Sequence, residues 1–315
     1  PDTDDVIAQV TRAGKGVDLV GLYAGGKLYR GFANSLGQRN WHSADNFNFE
    51  WCLYHAKDKA VKSSYAGAEW NASEYSQRMD FARTQLARLG DAPMTLKPGQ
   101  YRAFLSPSAL KEVLDMLCWG GFGIKSQKTK QSCLQKMIED DARLSPMVSI
   151  RENTGEGLSS AFQQEGFIKP GRVDLIDDGA LKGSLISPRS AQEYQLPTNG
   201  ANLWETPESL DMAGGALKRS EALKALDTGL FIGNLWYLNF SDRSACRMTG
   251  MTRFACFWVE DGEIRAPLNV MRFDDTAYRI LGSELEALTR ERDLLLQGGT
   301  YGARNTASMR LPGAL

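Results

Sequence analysis

The chain has 315 residues, a formal net charge of -1 and 42% hydrophobic residues. That balance excludes a strongly basic nucleic-acid binder and a disordered, low-hydrophobicity chain. No apolar run approaches the roughly 20 residues that a membrane-spanning helix needs.

The length favours two domains over one. The five cysteines (Cys52, Cys118, Cys133, Cys246 and Cys256) form no CxxC pair, which fits reduced thiols in a cytoplasmic protein. Asp4 and Asp5 precede Val6, Ile7 and Val10 at helical spacing, and Gly14 and Gly16 stop that helix. The acidic start is no signal peptide. Two runs, 17–24 and 27–34, flank Gly25-Gly26 and read as a hairpin, with Asn34–Gly37 as a turn. Phe47, Phe49, Trp51, Leu53 and His55 alternate with polar residues, which predicts a strand with an aromatic inner face. The run 61–70 is its expected antiparallel neighbour. Asn71 and Glu74 have capping-box spacing ahead of Tyr75, Met79, Ala82, Leu86 and Leu89, a helix ended by Gly90 and Pro93. The cap takes precedence over the glycosylation sequon that Asn71-Ala72-Ser73 also spells.

Pro93, Pro98 and Gly99 mark a boundary, giving an α+β portion over 1–98 and a second domain over 99–315. In that second domain 101–105 reads as a strand. Ser106-Pro107 then caps a helix with Leu110, Val113, Leu114 and Leu117 on one stripe, stopped by the glycines of 119–123. Lys125, Lys128 and Lys130 fall in a polar loop. From 147 to 217 short strands alternate with turns, clearest at Asp178-Gly179 and Asn199-Gly200, and 219–226 can form one short helix. Two runs, 230–240 and 254–259, read as strands buried on both sides, with Gly233 and Asn234 breaking the first. Asp261-Gly262 follows as a hairpin turn before Ile264, because a type I′ turn needs positive φ at both central positions. The polar stretch 241–253 between the runs reads as the functional insert. The leucine-rich run 279–296 reads as a helix or a loop. The fold class expected is α+β: an N-terminal α+β portion, then a larger, mainly antiparallel β domain with a few helices.

Catalytic signatures are missing. The only histidines are His42 and His55, and neither begins the HExxH pattern that places two imidazoles on one zinc ion. No serine sits in GxSxG. Gly120–Gly123 follows a helix instead of preceding one, so it forms no phosphate cradle. Paired acids such as Asp140-Asp141, Asp177-Asp178 and Asp274-Asp275 read as turns. No catalytic residue and no metal ligand is assigned.

Asn234–Tyr237, Asp242, Thr249-Gly250-Met251-Thr252-Arg253, the run from Val259 to Ile264, Pro267, Arg272-Phe273, Thr300–Arg304 and Ser308–Pro312 together resemble the TldD/PmbA family, the "modulator of DNA gyrase" family of predicted peptidases. The likeness spans most of the chain from Gly99, more weakly 21–70, and is nearer the PmbA (TldE) branch. Family members carry a further N-terminal portion, so the chain reads as a piece of a longer protein or a processed form. The TldD branch places an extended His-Glu-xxx-His motif where this chain has the helix from Pro107 and the glycines after it. There only Asp115 and Cys118 offer ligands. The resemblance therefore implies a metalloprotease subunit for proteolysis and peptide maturation that binds no cofactor itself. Zinc belongs to a TldD-like partner, and peptide or unfolded protein is the substrate. Homodimers are an open assembly; nucleic acid and membrane are not expected partners, and the charge lends no support to a DNA gyrase link. Asn234, Asp242, Thr249, Gly250, Met251, Thr252 and Arg253 are the candidate binding residues, with Arg253 meeting a carboxylate of substrate, partner or Asp242. Two alternatives stand beside this reading: a metal-free peptide-binding or scaffolding homo-oligomer, and a metallopeptidase in its own right.

Overall fold

The computed structural model describes residues 2–56, 59–296 and 304–315. Helix α1 (Thr3–Ala13) is capped by Asp2, whose carboxylate accepts from the Asp4 amide at 2.8 Å. Strands β1 (Asp18–Ala33), β2 (Arg39–His55) and β3 (Lys59–Gly67) form an antiparallel sheet, and α2 (Ala72–Leu89) packs across it. Alternation sets the register: Phe47, Phe49, Trp51 and Leu53 are buried together with Tyr75 and Met79 of α2. The expected hairpin at Gly25-Gly26 is corrected. β1 runs straight through, with Gly25 opposite Phe47 and Gly26 opposite Asn46. The chain reverses instead at Asn34–Gln38, where the Asn34 side chain accepts from the Leu36 and Gln38 amides, both at 3.1 Å. Half of the capping box forms. Asn71 accepts from the Glu74 amide at 3.0 Å, but its own N–H goes to the Tyr65 hydroxyl, and Glu74 pairs with Arg78.

The larger sheet begins with β4 (Ala103–Leu105), followed by α3 (Pro107–Cys118), α4 (Ile124–Lys128) and α5 (Gln135–Glu139). Ser106 caps α3 by accepting from the Ala109 amide at 3.2 Å, and the predicted stripe is wholly buried. Then come β5 (Ile150–Glu152), β6 (Val173–Asp177), β7 (Ala180–Leu181), α6 (Pro188–Tyr194) and β8 (Ser209–Met212). A 3₁₀ turn leads into α7 (Ala222–Leu226), and the long strands β9 (Gly229–Asp242) and β10 (Arg247–Glu260) follow. The chain finishes with β11 (Glu263–Pro267), β12 (Arg272–Thr276), β13 (Leu288–Leu296) and β14 (Ser308–Ala314).

The strand order is β11-β10-β9-β4-β14-β8-β5-β6-β7, with β12 on β10 and β13 on β14. Most pairings are antiparallel; β4–β9 and β14–β8 are parallel. This is the α+β fold that the sequence predicts. Both Asp-Gly hairpins form: φ is +54° at Asp261 and +74° at Gly262, and +46° at Asp178 and +76° at Gly179. Two expectations are corrected. Lys125 and Lys128 lie in α4. The run 279–296 divides into a π-helical turn (Arg279–Ser283) and strand β13, because Leu288–Leu296 pairs antiparallel with β14 across a bulge and buries Leu288 and Leu295 in the core. Helix α6 went unpredicted although Ser187-Pro188 repeats the cap signal of α3.

One buried cluster lies around α3 and includes Leu230, Ile232, Leu235, Met248 and Cys256 of β9 and β10. A second is shared with the three-stranded sheet and takes Phe231, Ala255, Phe257 and Val259 from the same two strands. Among the described residues no helix is long and apolar enough to cross a membrane.

Candidate functional site

Residues 249–253 are not a loop. They lie inside β10, and the connection between β9 and β10 is only Arg243–Cys246. The polar residues that suggested an insert belong to a two-sided strand: Arg247, Thr249, Met251 and Arg253 alternate on its more exposed side, while Thr252 is buried with Met248 and Gly250 on the other. Asp242 shapes the turn: its carboxylate accepts from the Ser244 hydroxyl at 2.7 Å and the Ala245 amide at 3.1 Å. These bonds, the hydroxyl first, hold its carboxyl below the usual range.

The hairpin is irregular. The register shifts between Thr249 and Met251 and again between Arg253 and Cys256. Tyr237 and Phe254, at φ +57° and +58°, sit at those shifts, as bulged residues do. Beyond Phe231 on β9 and before Ala255 on β10, neither strand contributes to the second core. That half of the hairpin has one face packed toward α3 and the other bare. On it Trp236 is 50% exposed, Tyr237 74% and Met251 37%. The Arg253 guanidinium lies 4.0 Å from the Trp236 ring centre and 5.0 Å from that of Phe254. Among the described residues, no strand pairs with the outer edge of β9 beyond Ile232.

The seven predicted residues divide by surroundings. Met251 and Arg253 belong to the bare face. Asn234, half-buried, stands opposite Arg253 in the ladder. Thr249, Gly250 and Thr252 serve the neighbouring β12 side. The Thr249 hydroxyl donates to the Phe273 carbonyl at 2.9 Å, Thr252 exchanges bonds with Met271, and a Cβ on Gly250 would come within 2.8 Å of both Leu238 and Phe273. The pairing of Arg253 with Asp242 is corrected: Arg253 faces Asn234 while Asp242 faces Arg247, eight residues along β9, or roughly 25 Å at strand rise. Among the described residues Arg253 makes no ion pair. Trp236 and Tyr237 carry the family resemblance but are absent from the candidate site residues; two adjacent large aromatics next to the break at Gly233-Asn234 were the available signal.

A second polar constellation had no sequence signal, because its members are far apart in the chain. Glu152 is buried and accepts from the Glu208 and Ser209 amides, both at 3.0 Å. Burial pushes its carboxyl up to about 7, against the lowering pull of those amides and of Lys169. Lys169, also buried, pairs with Glu208 at 2.7 Å. Among the described residues, the Thr154 hydroxyl beside them has no partner.

The residues at the position of the family's metal motif do not fit a divalent ion. Asp115 is held by Lys111 one turn away. Burial drives the Cys118 thiol well above its usual pKa, which opposes the thiolate that zinc needs. His42 faces the Leu158 carbonyl at 3.1 Å. Among the described residues no three His, Cys, Asp or Glu side chains converge.

Comparison with known proteins agrees with the hairpin motif. The model of the PmbA/TldA metallopeptidase C-terminal domain matches residues 98–314. The chain is 25% identical over 252 residues to "Metalloprotease PmbA" of Escherichia coli O157:H7, covering 76% of this chain and 52% of that protein. It thus spans about half the length of that curated relative. Its fold is similar to TldE from Thermococcus kodakarensis, with a TM-score of 0.78 at 15% identity, covering 99% of this chain and 71% of that one. It is similar also to a candidate modulator of a DNA gyrase from Thermotoga maritima MSB8, with a TM-score of 0.77 at 16% identity, covering 100% of this chain and 73% of that one. Thr300–Ala303 of the family-like tail lie outside the described residues. The matched span, from the strand before α3 to the last strand, places this chain in the PmbA/TldA metallopeptidase family.

Proposed function

We propose that this chain is the PmbA/TldE-like subunit of a TldD/TldE-type metalloprotease, contributing substrate-binding or partner surface and no metal of its own. The observation that carries the reading is the bare half of the β9–β10 hairpin. It is a rigid strand pair whose exposed face holds Trp236, Tyr237, Met251 and Arg253, beside an unpaired strand edge. Aromatic and arginine side chains on such a face suit contact with varied partners. An open edge can take an extended chain through main-chain hydrogen bonds regardless of its sequence. The bulge at Tyr237 limits such pairing to a short stretch and turns that ring toward solvent. The absence of a fitting donor set at Asp115 and Cys118 supports a subunit that relies on its partner for metal chemistry. Five unpaired thiols support a reducing, cytoplasmic setting. We further propose that the unit boundary lies near residue 98, where the family match begins.

The test is reconstitution. The chain is co-expressed with a TldD-like protein of the same cell, and co-purification and peptide cleavage are measured with and without Trp236→Ala. Loss of association or cleavage, with the fold intact, supports the reading. A chain that cleaves peptide alone with bound zinc, or one that self-associates through this face and never engages a TldD-like protein, overturns it.

A further inference from the structure

Away from the hairpin, four strands bring three guanidinium groups to one carboxylate. Asp211 of β8 is opposite Arg151 of β5 in one ladder and opposite Arg310 of β14 in the other. Arg292 of β13 donates to the Asp211 carboxylate and, at 3.1 Å, to the Met212 carbonyl. Asn153 donates to the second Asp211 oxygen at 2.9 Å. Asp211 is therefore well satisfied by Arg292 and Asn153 alone. Arg151 and Arg310 stand 3.7 and 3.8 Å from the same carboxylate, beyond hydrogen-bond reach. Arg310 also lies 3.7 Å from Glu156 and donates to its carbonyl at 3.3 Å.

A guanidinium carries five N–H donors. Among the described residues Arg151 makes no hydrogen bond, and its Nε is shielded from water without a partner. Three like charges held together repel, and the repulsion is stronger where water is partly excluded. Asp211 and Glu156 offset two of the three charges, and Asp174, opposite Arg151 on β6, is taken by Arg172 at 2.6 Å, which leaves one. The three side chains are 25–31% exposed, so they are partly desolvated yet reachable from solvent.

We propose that Arg151 and Arg310 form a carboxylate-binding site, with the Arg292–Asp211–Asn153 group as its floor. The uncompensated single charge matches a monoanion. The planar forks of Arg151 and Arg310 match the two oxygens of a carboxylate. The ligand class is a molecule with one free carboxylate, such as the C-terminus of a short peptide. The site is separate from the hairpin face, and its existence does not depend on a metalloprotease partner.

Calorimetric titration of the full chain tests this with three probes: N-acetyl-dialanine as the free acid, the same dipeptide as its C-terminal amide, and inorganic phosphate. The free acid is expected to bind at least tenfold more tightly than the amide, and more tightly than phosphate. Arg151→Gln and Arg310→Gln are each expected to weaken it at least tenfold, while Glu156→Gln, which removes a competing negative charge from an exposed position, tightens it several-fold. Should Arg151→Gln fail to fold, Arg310→Gln and Glu156→Gln decide the matter. Equal binding of acid and amide, tighter binding of phosphate, or affinities unmoved in the folded variants would each overturn the site. Full affinity in Arg151→Lys would overturn the forked grip, since lysine keeps the charge and loses the fork.

Discussion

The β9–β10 hairpin is one ladder with two fates. Its first half, 229–233 against 254–260, lies between two cores, and Phe231, Ala255, Phe257 and Val259 are covered by the three-stranded sheet and α2. Its second half, 234–242 against 247–253, is packed on one side only. Both halves are antiparallel pairings of the same two strands, with similar aromatic content. What separates them is cover and, among the described residues, the loss of the β4 neighbour beyond Ile232. The covered half contributes mainly to stability, whereas the bare half leaves large side chains available for contact. A strand pair can thus serve as scaffold at one end and surface at the other without a loop between.

The sharpest way to break this comparison is to truncate one residue in each half. Phe257→Ala empties a fully buried site and is expected to cost about 3–5 kcal/mol, read by urea or thermal unfolding. If the loss is under about 1 kcal/mol, the covered half is not the scaffold described. Next in size is a pH effect belonging to neither half. The Glu152 carboxyl is pushed up to about 7 in the fold against an ordinary 4.5. The folded state therefore holds this proton more tightly than the unfolded chain. Stability is unaffected below the lower value and falls as pH rises from 4.5 to 7, by about 3 kcal/mol at 1.36 kcal/mol per unit. Glu152→Gln should flatten that slope, and the slope should be the same in a Trp236→Ala background, since the sites are independent.

A smaller effect sharpens the boundary between the halves. Gly250 lies in the bare half but on its packed side, under Leu238 and Phe273. Gly250→Val should cost about 1–3 kcal/mol by overpacking, and a neutral result would show that face to be loose. On the bare side, Trp236→Ala should cost only about 1 kcal/mol of stability while weakening partner or peptide binding at least tenfold; a large melting-temperature drop would assign Trp236 to the core. Smallest is the coupling of Arg253 to Trp236. A double-mutant cycle with Arg253→Ala is expected to give about 0.5–1 kcal/mol, the usual size of an exposed cation–π contact, and zero coupling would dissolve the pair.

Much of the fold was legible in local chemistry. Ser106-Pro107 capped α3, Asp261-Gly262 turned the chain, and the alternation at Phe47–Leu53 buried one face, because each signal depends on neighbours a few residues away. The same locality explains the errors. Gly25-Gly26 has the composition of a turn, but the β1–β2 ladder and the bond from Arg304 to the Gly26 carbonyl keep it extended. Thr249–Arg253 has the polarity of a loop, but one side of it packs on β12.

By itself, then, the sequence determined helices α1, α2 and α3, the α+β class, the hairpin at Asp261-Gly262 and the family motif across β9 and β10. The tertiary structure alone decided which end of that hairpin lies under the first sheet, that Arg253 stacks on Trp236 instead of reaching Asp242, and that Arg151, Asp211, Arg292 and Arg310 meet. The physical reason is separation along the chain: capping and turn preferences act within a few residues, whereas cover and charge convergence arise from strand order, which joins β5, β8, β13 and β14 only after the sheet is assembled.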